Sequence, residues 1–172
     1  IHGYRSLSSI QHSLAKGLNS SGDCNIDVNC PLGVGWDNEI RSVAMIVVNG
    51  NGICTGALIN NTCNDGTPYF LTADHCLGGS TGSWAFRFNW ESPPGTESCA
   101  TTAGSTDPGP PYDQTANGAT ILTNSSASDY ALLEINNMTL SDAQAWNCFF
   151  AGWDASDLTT VTEATGIHHP SG

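Results

Sequence analysis

The sequence predicts an all-β protein built from short antiparallel strands. Charged residues make up only 12% of the chain, and glycine occurs 19 times. Short β-branched or aromatic runs recur between turns rich in Gly, Asn and Pro, a composition that favours strands over a helical bundle. With 172 residues and 39% hydrophobic content, the chain is long enough to bury a core.

The strand-like runs begin at residue 41 and follow one another closely. Six are predicted: RSVAMIVV (41–48), GICTGALI (52–59), YFLTA (69–73), WAFRFNW (84–90), GATILTN (118–124) and DYALLEI (129–135). Six such strands can close one small barrel. Residues 91–117 carry too much Pro and Gly for regular structure, and we expect a long loop there.

The two ends of the chain differ from this central region. Residues 139–147 predict a short helical turn with Ser141 as its N-cap, and 148–154 and 162–170 predict two further strands. We therefore divide the chain into an N-terminal segment (1–22), a first barrel (23–137) and the beginning of a second unit (138–172).

The N-terminal segment has the pattern of an amphipathic, cationic helix. Its apolar residues recur at spacings of three and four, and it contains Arg5 and Lys16 but no acidic residue before Asp23. Two interpretations stay open: a remnant of a pro-segment that docks on the acidic body, or a frayed terminus.

The charge of the chain excludes several classes of partner. Its formal net charge is −12, from 16 acidic and four basic residues. Such a surface repels nucleic acid and favours solubility. No stretch approaches the roughly 18 apolar residues of a membrane span, so no membrane partner is expected.

The seven cysteines are scattered and form no CxxC pair. This is typical of structural disulfides in an exported protein rather than of a zinc ribbon. We therefore expect a secreted, extracellular protein. Because seven is odd, at least one cysteine is free or pairs outside this chain.

His75, in YFLTADHC, is a candidate metal ligand, a structural imidazole or a catalytic base. Candidate atoms for a metal come from His75, Cys63, Cys76, His168 and His169. They lack the paired spacing of zinc sites. Adjacent residues on an extended chain also point to opposite faces, so His75 and Cys76 should not reach one ion. No metal and no cofactor are predicted.

The surroundings of His75 favour the catalytic interpretation. CTGALI followed by LTADHC resembles the histidine region of chymotrypsin-fold serine peptidases, and SDYALLEI resembles their aspartate region. The resemblance implies His75 as general base and Asp129 as the carboxylate that orients it. Asp74, as a strand neighbour, should point away from His75 and be exposed. Asp107 and Asp113 lie in the loop and are expected to be solvated.

Bacterial lysyl endopeptidases are the more specific resemblance. It rests on SGDCNIDVNCP (21–31), CTGALINNTCND (54–65), SDYALLEINN (128–137), FAGWD (150–154) and IHHPSG (167–172). It implies a secreted endopeptidase with a chymotrypsin-like antiparallel double β-barrel, of which the first barrel is complete here and the second only begun. It also implies a polypeptide substrate cut after Lys or another basic residue. The resemblance leaves the role of His168 and His169 open, and we expect one of them to pack between the barrels rather than to bind a metal.

The same resemblance suggests how the cysteines pair. It implies the bridges Cys54–Cys76 and Cys30–Cys99, while Cys63 and Cys148 match no family cysteine and could form an added bridge. Cys24 then remains for a bond to the rest of the enzyme.

One departure from the family pattern is the absence of a GDSGSP-like segment. The family order is His, Asp, then Ser, so we expect the nucleophile on a C-terminal fragment beyond Gly172, tethered through Cys24. Lys16–Gly17 is a candidate site of autoproteolysis. The alternative is a catalytically inactive binding module on the same fold.

Overall fold

The computed structural model describes residues 25–50, 52–91, 114–156 and 160–170. The predictions for residues 1–22, Cys24, Cys99, Asp107 and Asp113 lie outside these ranges. The described chain contains seven strands and two short α-helices. They are α1 (Asp37–Ser42), β1 (Val43–Val48), β2 (Gly52–Ile59), β3 (Tyr69–Thr72), β4 (Ala85–Phe88), β5 (Thr115–Asn117), β6 (Ala119–Ser125), β7 (Tyr130–Ile135) and α2 (Leu140–Ala145).

All seven strands form one curled antiparallel sheet in the order β5-β4-β1-β2-β3-β7-β6. The two edge strands, β5 and β6, are separated in the chain only by Gly118. Gly118 has φ of +73°, which favours glycine, and its N–H donates to the Trp84 carbonyl oxygen at 2.8 Å. The bend at Gly118 therefore joins the two edges of the sheet. The predicted all-β class is confirmed, and the curled sheet is consistent with one chymotrypsin-like barrel, whereas the second barrel stays a prediction.

The inner face of the sheet holds an aromatic core. Phe70, Trp84, Phe86 and Phe88 are almost completely buried. The rings of Phe70 and Phe86 meet edge to face with centroids 5.0 Å apart, a favoured geometry for aromatic pairs. Burying a side chain of this size stabilises the fold by about 1.5–3 kcal/mol. This packing holds β3 against β4 across the interior.

The six predicted strands are confirmed, with small differences at their ends. Residues 41 and 42 belong to α1, which the apolar pattern did not reveal because the helix is only six residues long. The end of the predicted loop, Thr115–Asn117, is strand β5. It is extended because it pairs with β4, a long-range contact that composition does not encode.

The predicted N-cap of α2 was wrong by two residues. Thr139, not Ser141, caps the helix: its hydroxyl accepts from the Asp142 N–H, and the Asp142 carboxylate accepts from the Thr139 N–H. This reciprocal capping box satisfies two N–H groups at the start of the helix.

The strands predicted at 148–154 and 162–170 were also wrong. In the described parts of 148–170, only Ala151 makes a β-contact, an isolated parallel bridge to Ile59. A strand requires a hydrogen-bonding neighbour. No such neighbour runs beside 160–170 in the described part of the chain, so this segment has no regular structure despite its β-branched residues.

One predicted disulfide is confirmed and one is wrong. Cys54 and Cys76 are bonded, and Cys30 is disulfide-bonded too, although its expected partner lies outside the described residues. Cys63 and Cys148 are both free. Cys148 is half-buried at the end of α2, where its N–H donates to the Ala143 carbonyl oxygen, whereas Cys63 is exposed in the loop after β2.

Among the described residues, no helix is long and apolar enough to cross a membrane.

Gly56 offers a test of the packing between β2 and β3. A Cβ there would meet the Phe70 ring and lie 2.5 Å from the Leu71 carbonyl oxygen. We predict that Gly56→Ala lowers the free energy of unfolding by about 1–3 kcal/mol, because the backbone must shift. Gly152→Ala is the matched control, since no heavy atom lies within 4 Å of its Cβ position. Urea unfolding measures both. Equal stabilities for the two variants would contradict the close β2–β3 approach.

Candidate functional site

His75 lies on a rigid turn that follows β3. Residues Asp74–Cys76 form a single 3-10 turn. The buried Cys76 is bonded to Cys54 of β2, with their Cα atoms 6.3 Å apart. The Thr72 hydroxyl also donates to the Thr55 carbonyl oxygen at 2.8 Å. The backbone of His75 is therefore anchored to β2 on both sides of the turn.

Asp129 reaches His75 because of the register between β3 and β7. Thr72 pairs with Ala131 in an antiparallel ladder. Continuing this register by two residues on each strand places Asp129 opposite Asp74, directly before His75. Asp129 itself has φ of +50°, a left-handed conformation that aspartate adopts more readily than most residues. The strand pairing thus brings together two residues that are 54 positions apart.

The Asp129 carboxylate binds both the backbone and the ring of His75. Its Oδ1 accepts from the His75 N–H at 2.9 Å, and its Oδ2 lies 2.8 Å from Nδ1 of the ring. Burial acts to raise the pKa of Asp129, but hydrogen bonds from the His75 backbone and ring, and from the Asp74 backbone, outweigh it and lower the pKa. The carboxylate is therefore held in its ionised form.

This geometry selects one tautomer of His75. An ionised carboxylate can only accept hydrogen bonds, so the network assigns the ring proton to Nδ1 and leaves the Nε2 lone pair free. The side chains of His75 and Asp129 are 41% and 47% exposed. A reacting group can therefore approach Nε2 from solvent. The structure brings the two residues singled out in the sequence, His75 and Asp129, into direct contact.

The structure corrects the expected orientation of Asp74. It is half-buried on the 3-10 turn rather than exposed on a strand. Its Oδ1 accepts from Nδ2 of Asn124 at 2.6 Å. It therefore does not compete with Asp129 for the imidazole, but it anchors the turn that carries His75 to β6.

Asn124 is a site-supporting residue that sequence reasoning missed. The β6–β7 register shifts between Ile121 and Thr123 because of an irregularity in β6. An extra residue in one strand reverses which face the following side chains occupy. No local feature of the sequence signals this shift, so the contact between Asn124 and Asp74 could not be anticipated.

The argument against a shared metal ion at His75 and Cys76 also needs correction. Ligand atoms of Cys54, His75 and Cys76 lie within 4.8 Å of one another. The turn at 74–76 is not extended, so neighbouring side chains need not point to opposite faces. Both sulfurs are bonded to each other, however, and a disulfide offers no thiolate to a metal. Cys63, His168 and His169 are not part of this group.

His169 docks on the same strand that anchors the disulfide. Its N–H donates to the Thr55 hydroxyl at 2.9 Å, and the hydroxyl donates to the His169 carbonyl oxygen at 3.4 Å. Burial, with a smaller contribution from the charge of His168, lowers the pKa of His169 to about 4. Segment 160–170 is thus tied to β2 one residue from Cys54, with a neutral imidazole. Packing of this histidine between two barrels remains a prediction.

The low pKa of His169 predicts acid-dependent release of its segment. A histidine titrates near pH 6.5 when unfolded, and His169 titrates at about 4 when docked. The neutral imidazole of His169 therefore stabilises the docked segment fully above about pH 6.5. This stabilisation is lost as the pH falls towards 4 and His169 becomes protonated. Amide hydrogen exchange at His169, corrected for the intrinsic pH effect, should show falling protection across this range. His169→Gln, which does not titrate, should remove this pH dependence. Protection that falls equally in both proteins would contradict the prediction.

Comparison with known proteins identifies the family. Residues 18–172 match the family model described as the lysyl endopeptidase C-terminal domain. A lysyl endopeptidase of Pseudomonas aeruginosa is 27% identical over 164 residues, which cover 91% of this chain and 34% of that protein. The chain therefore spans about a third of the length of this relative. With the curled antiparallel sheet and the contact between His75 and Asp129, the match over 18–172 shows that the chain belongs to the lysyl endopeptidase family of serine peptidases.

Proposed function

We propose that this chain supplies the histidine and aspartate of the catalytic triad of a secreted serine endopeptidase. The proposal rests on two hydrogen bonds that the Asp129 carboxylate accepts, one from the backbone N–H of His75 and one from Nδ1 of its ring. They leave Nε2 free and accessible, as a general base requires. The Cys54–Cys76 bond and the bond between Asn124 and Asp74 support this arrangement from two neighbouring strands.

The roles of the two residues follow from the chemistry of peptide hydrolysis. A serine hydroxyl is a weak nucleophile, so Nε2 of His75 takes its proton as the oxygen attacks the peptide carbonyl carbon. The resulting imidazolium then returns the proton to the leaving amine. Asp129 stays ionised, holds the ring in the required tautomer and stabilises the imidazolium. Its lowered pKa suits this role, because a protonated carboxyl could not accept from Nδ1.

The nucleophile in this proposal comes from protein outside the 172 residues. The family order of His, Asp and Ser supports this, as does the fact that the chain covers 34% of the Pseudomonas relative. A disulfide through Cys24 is the proposed covalent link between the two parts. In this proposal, His75 and Asp129 act only together with that part of the protein.

The proposed substrate is a polypeptide cut after lysine or another basic residue. The name of the Pseudomonas relative supports lysine, and a net charge of −12 attracts cationic peptides. The proposed location, outside a bacterial cell, rests on the cysteine pattern and the bacterial relative, together with the disulfide between Cys54 and Cys76.

A fluorophosphonate probe tests the proposed triad in the protein isolated from its source. We expect the probe to label a serine outside residues 1–172, in a fragment that separates from this chain on reduction if Cys24 is the link. His75→Ala should slow labelling by about 10²–10⁴-fold, because the general base is lost. His168→Ala is the control and should label normally. Absence of labelling in the unmodified protein would support the inactive binding module instead.

Replacing Asp129 tests its orienting role. Asp129→Asn should lower kcat on a lysine-containing peptide by about 10⁴-fold and change KM little, because an amide does not hold the required tautomer. The exposed Glu163 provides a control that removes one acid elsewhere, and Glu163→Gln should retain activity. If both variants lost activity equally, the effect would be one of net charge rather than of the contact with His75.

A further inference from the structure

We propose that Asn124 is a positioning residue for the general base, and that it acts through Asp74, the residue directly before His75. The hydrogen bond between the side chains of Asn124 and Asp74 keeps the turn at the distance from β7 that the contact between the imidazole and the carboxylate requires. This role belongs to the same reaction and therefore rests on the proposed function.

The hairpin of β6 and β7 holds the turn Asp74–Cys76 with one side chain from each of its strands. Directly before β7, the Asp129 carboxylate accepts from the backbone N–H groups of Asp74 and His75. On β6, Nδ2 of Asn124 donates to Oδ1 of Asp74 at 2.6 Å. The backbone and the side chain of Asp74 are thus bound by the two strands of the same hairpin.

A register shift in β6 directs Asn124 towards the turn. The shift lies between Ile121 and Thr123, where β6 has one more residue than β7. It places Asn124 opposite Ala131, which on its other side pairs with Thr72 at the end of β3. An unshifted register would set Thr123 at that position and turn Asn124 to the other face. Bulges of this kind are frequent beside active sites, where they redirect a side chain.

The second bond has a strong effect because the contact between His75 and Asp129 is half-exposed. Their side chains are 41% and 47% exposed, so water competes for Nδ1 and for the carboxylate. A bond that already holds the turn beside the hairpin lowers the entropy cost of closing this contact. It therefore keeps the Nδ1–Oδ2 distance at 2.8 Å for a larger fraction of the time.

The bond between Asn124 and Asp74 has a defined direction. A carboxylate only accepts hydrogen bonds, so the amide of Asn124 presents its nitrogen to Asp74. Asparagine and aspartate have nearly the same shape. Asp74→Asn combined with Asn124→Asp therefore keeps one donor and one acceptor in place and reverses the direction of the bond.

The kinetics of the complete protein, including the part that carries the nucleophile, test this role. We expect Asn124→Ala to lower kcat on a lysine-containing peptide by about 10–10²-fold, since a displacement of about 1 Å at a reacting group has an effect of this size. KM should change little, because the proposed role is in orienting the base. Thr123→Ala, at the neighbouring exposed position of β6, is the control and should retain activity.

The exchanged pair separates positioning from a general loss of stability. Asn124→Asp alone sets two carboxylates against each other, and their repulsion should lower kcat at least as much as Asn124→Ala does. Adding Asp74→Asn to this variant restores a hydrogen bond between the two positions. We expect the double variant to recover most of the lost kcat.

Proton NMR of the same proteins provides a measurement that does not require activity. The Nδ1 proton of His75, held by a carboxylate, should give a resolved downfield signal that is lost in His75→Ala. Asn124→Ala should broaden this signal, because the proton exchanges with water whenever the contact opens, and the double variant should restore it.

The two measurements distinguish the possible failures. An unmodified protein that shows the Nδ1 signal but hydrolyses no peptide would contradict the proposed function, and the signal in the variants would still decide the role of Asn124. In an active protein, an unchanged kcat and an unchanged signal in Asn124→Ala would overturn the positioning role. A double variant no better than Asn124→Asp alone would overturn it as well.

Discussion

The antiparallel pairing of β3 with β7 is the constraint on which the site depends. It sets Ala131 opposite Thr72, and one short continuation beyond that pair brings Asp129 beside His75. A slip of one residue would turn the side chains of β7 to the other face and separate the two groups. Buried residues on β7, Ala131, Leu133 and Ile135, oppose such a slip because they would have to face solvent. The hydrophobic core thus specifies the position of a polar, half-exposed pair.

The Cys54–Cys76 bond adds a second constraint from the opposite side. It fixes the turn to β2, while Asn124 fixes the same turn to β6. His75 therefore projects from a segment that is held by three neighbouring parts of the sheet, although its own side chain is 41% exposed. Supporting contacts of this kind keep a reactive group in one geometry, which a loop alone would not achieve.

The disulfide holds the backbone of His75 from β2, and the Asp129 carboxylate binds the ring of the same residue. Segment 160–170 adds a contact from outside the sheet. The His169 N–H donates to the hydroxyl of Thr55, the neighbour of Cys54, and this contact is most stable while the His169 imidazole is neutral.

Local pattern in the sequence was sufficient for six of the strands and for the all-β class, because alternation and turn residues are encoded by neighbouring positions. His75 and Asp129 were singled out by the family resemblance, and their catalytic role stays a prediction. The bridge Cys54–Cys76 followed from the family resemblance and is confirmed. The contact of Asn124 with Asp74 arises only from the shifted β6–β7 register, and no local pattern reveals that Cys63 and Cys148 stay unbonded. Residues 162–170 have strand-like composition but no pairing partner among the described residues. Each of these features depends on which distant segments become neighbours, and that is decided by the packing of the whole sheet.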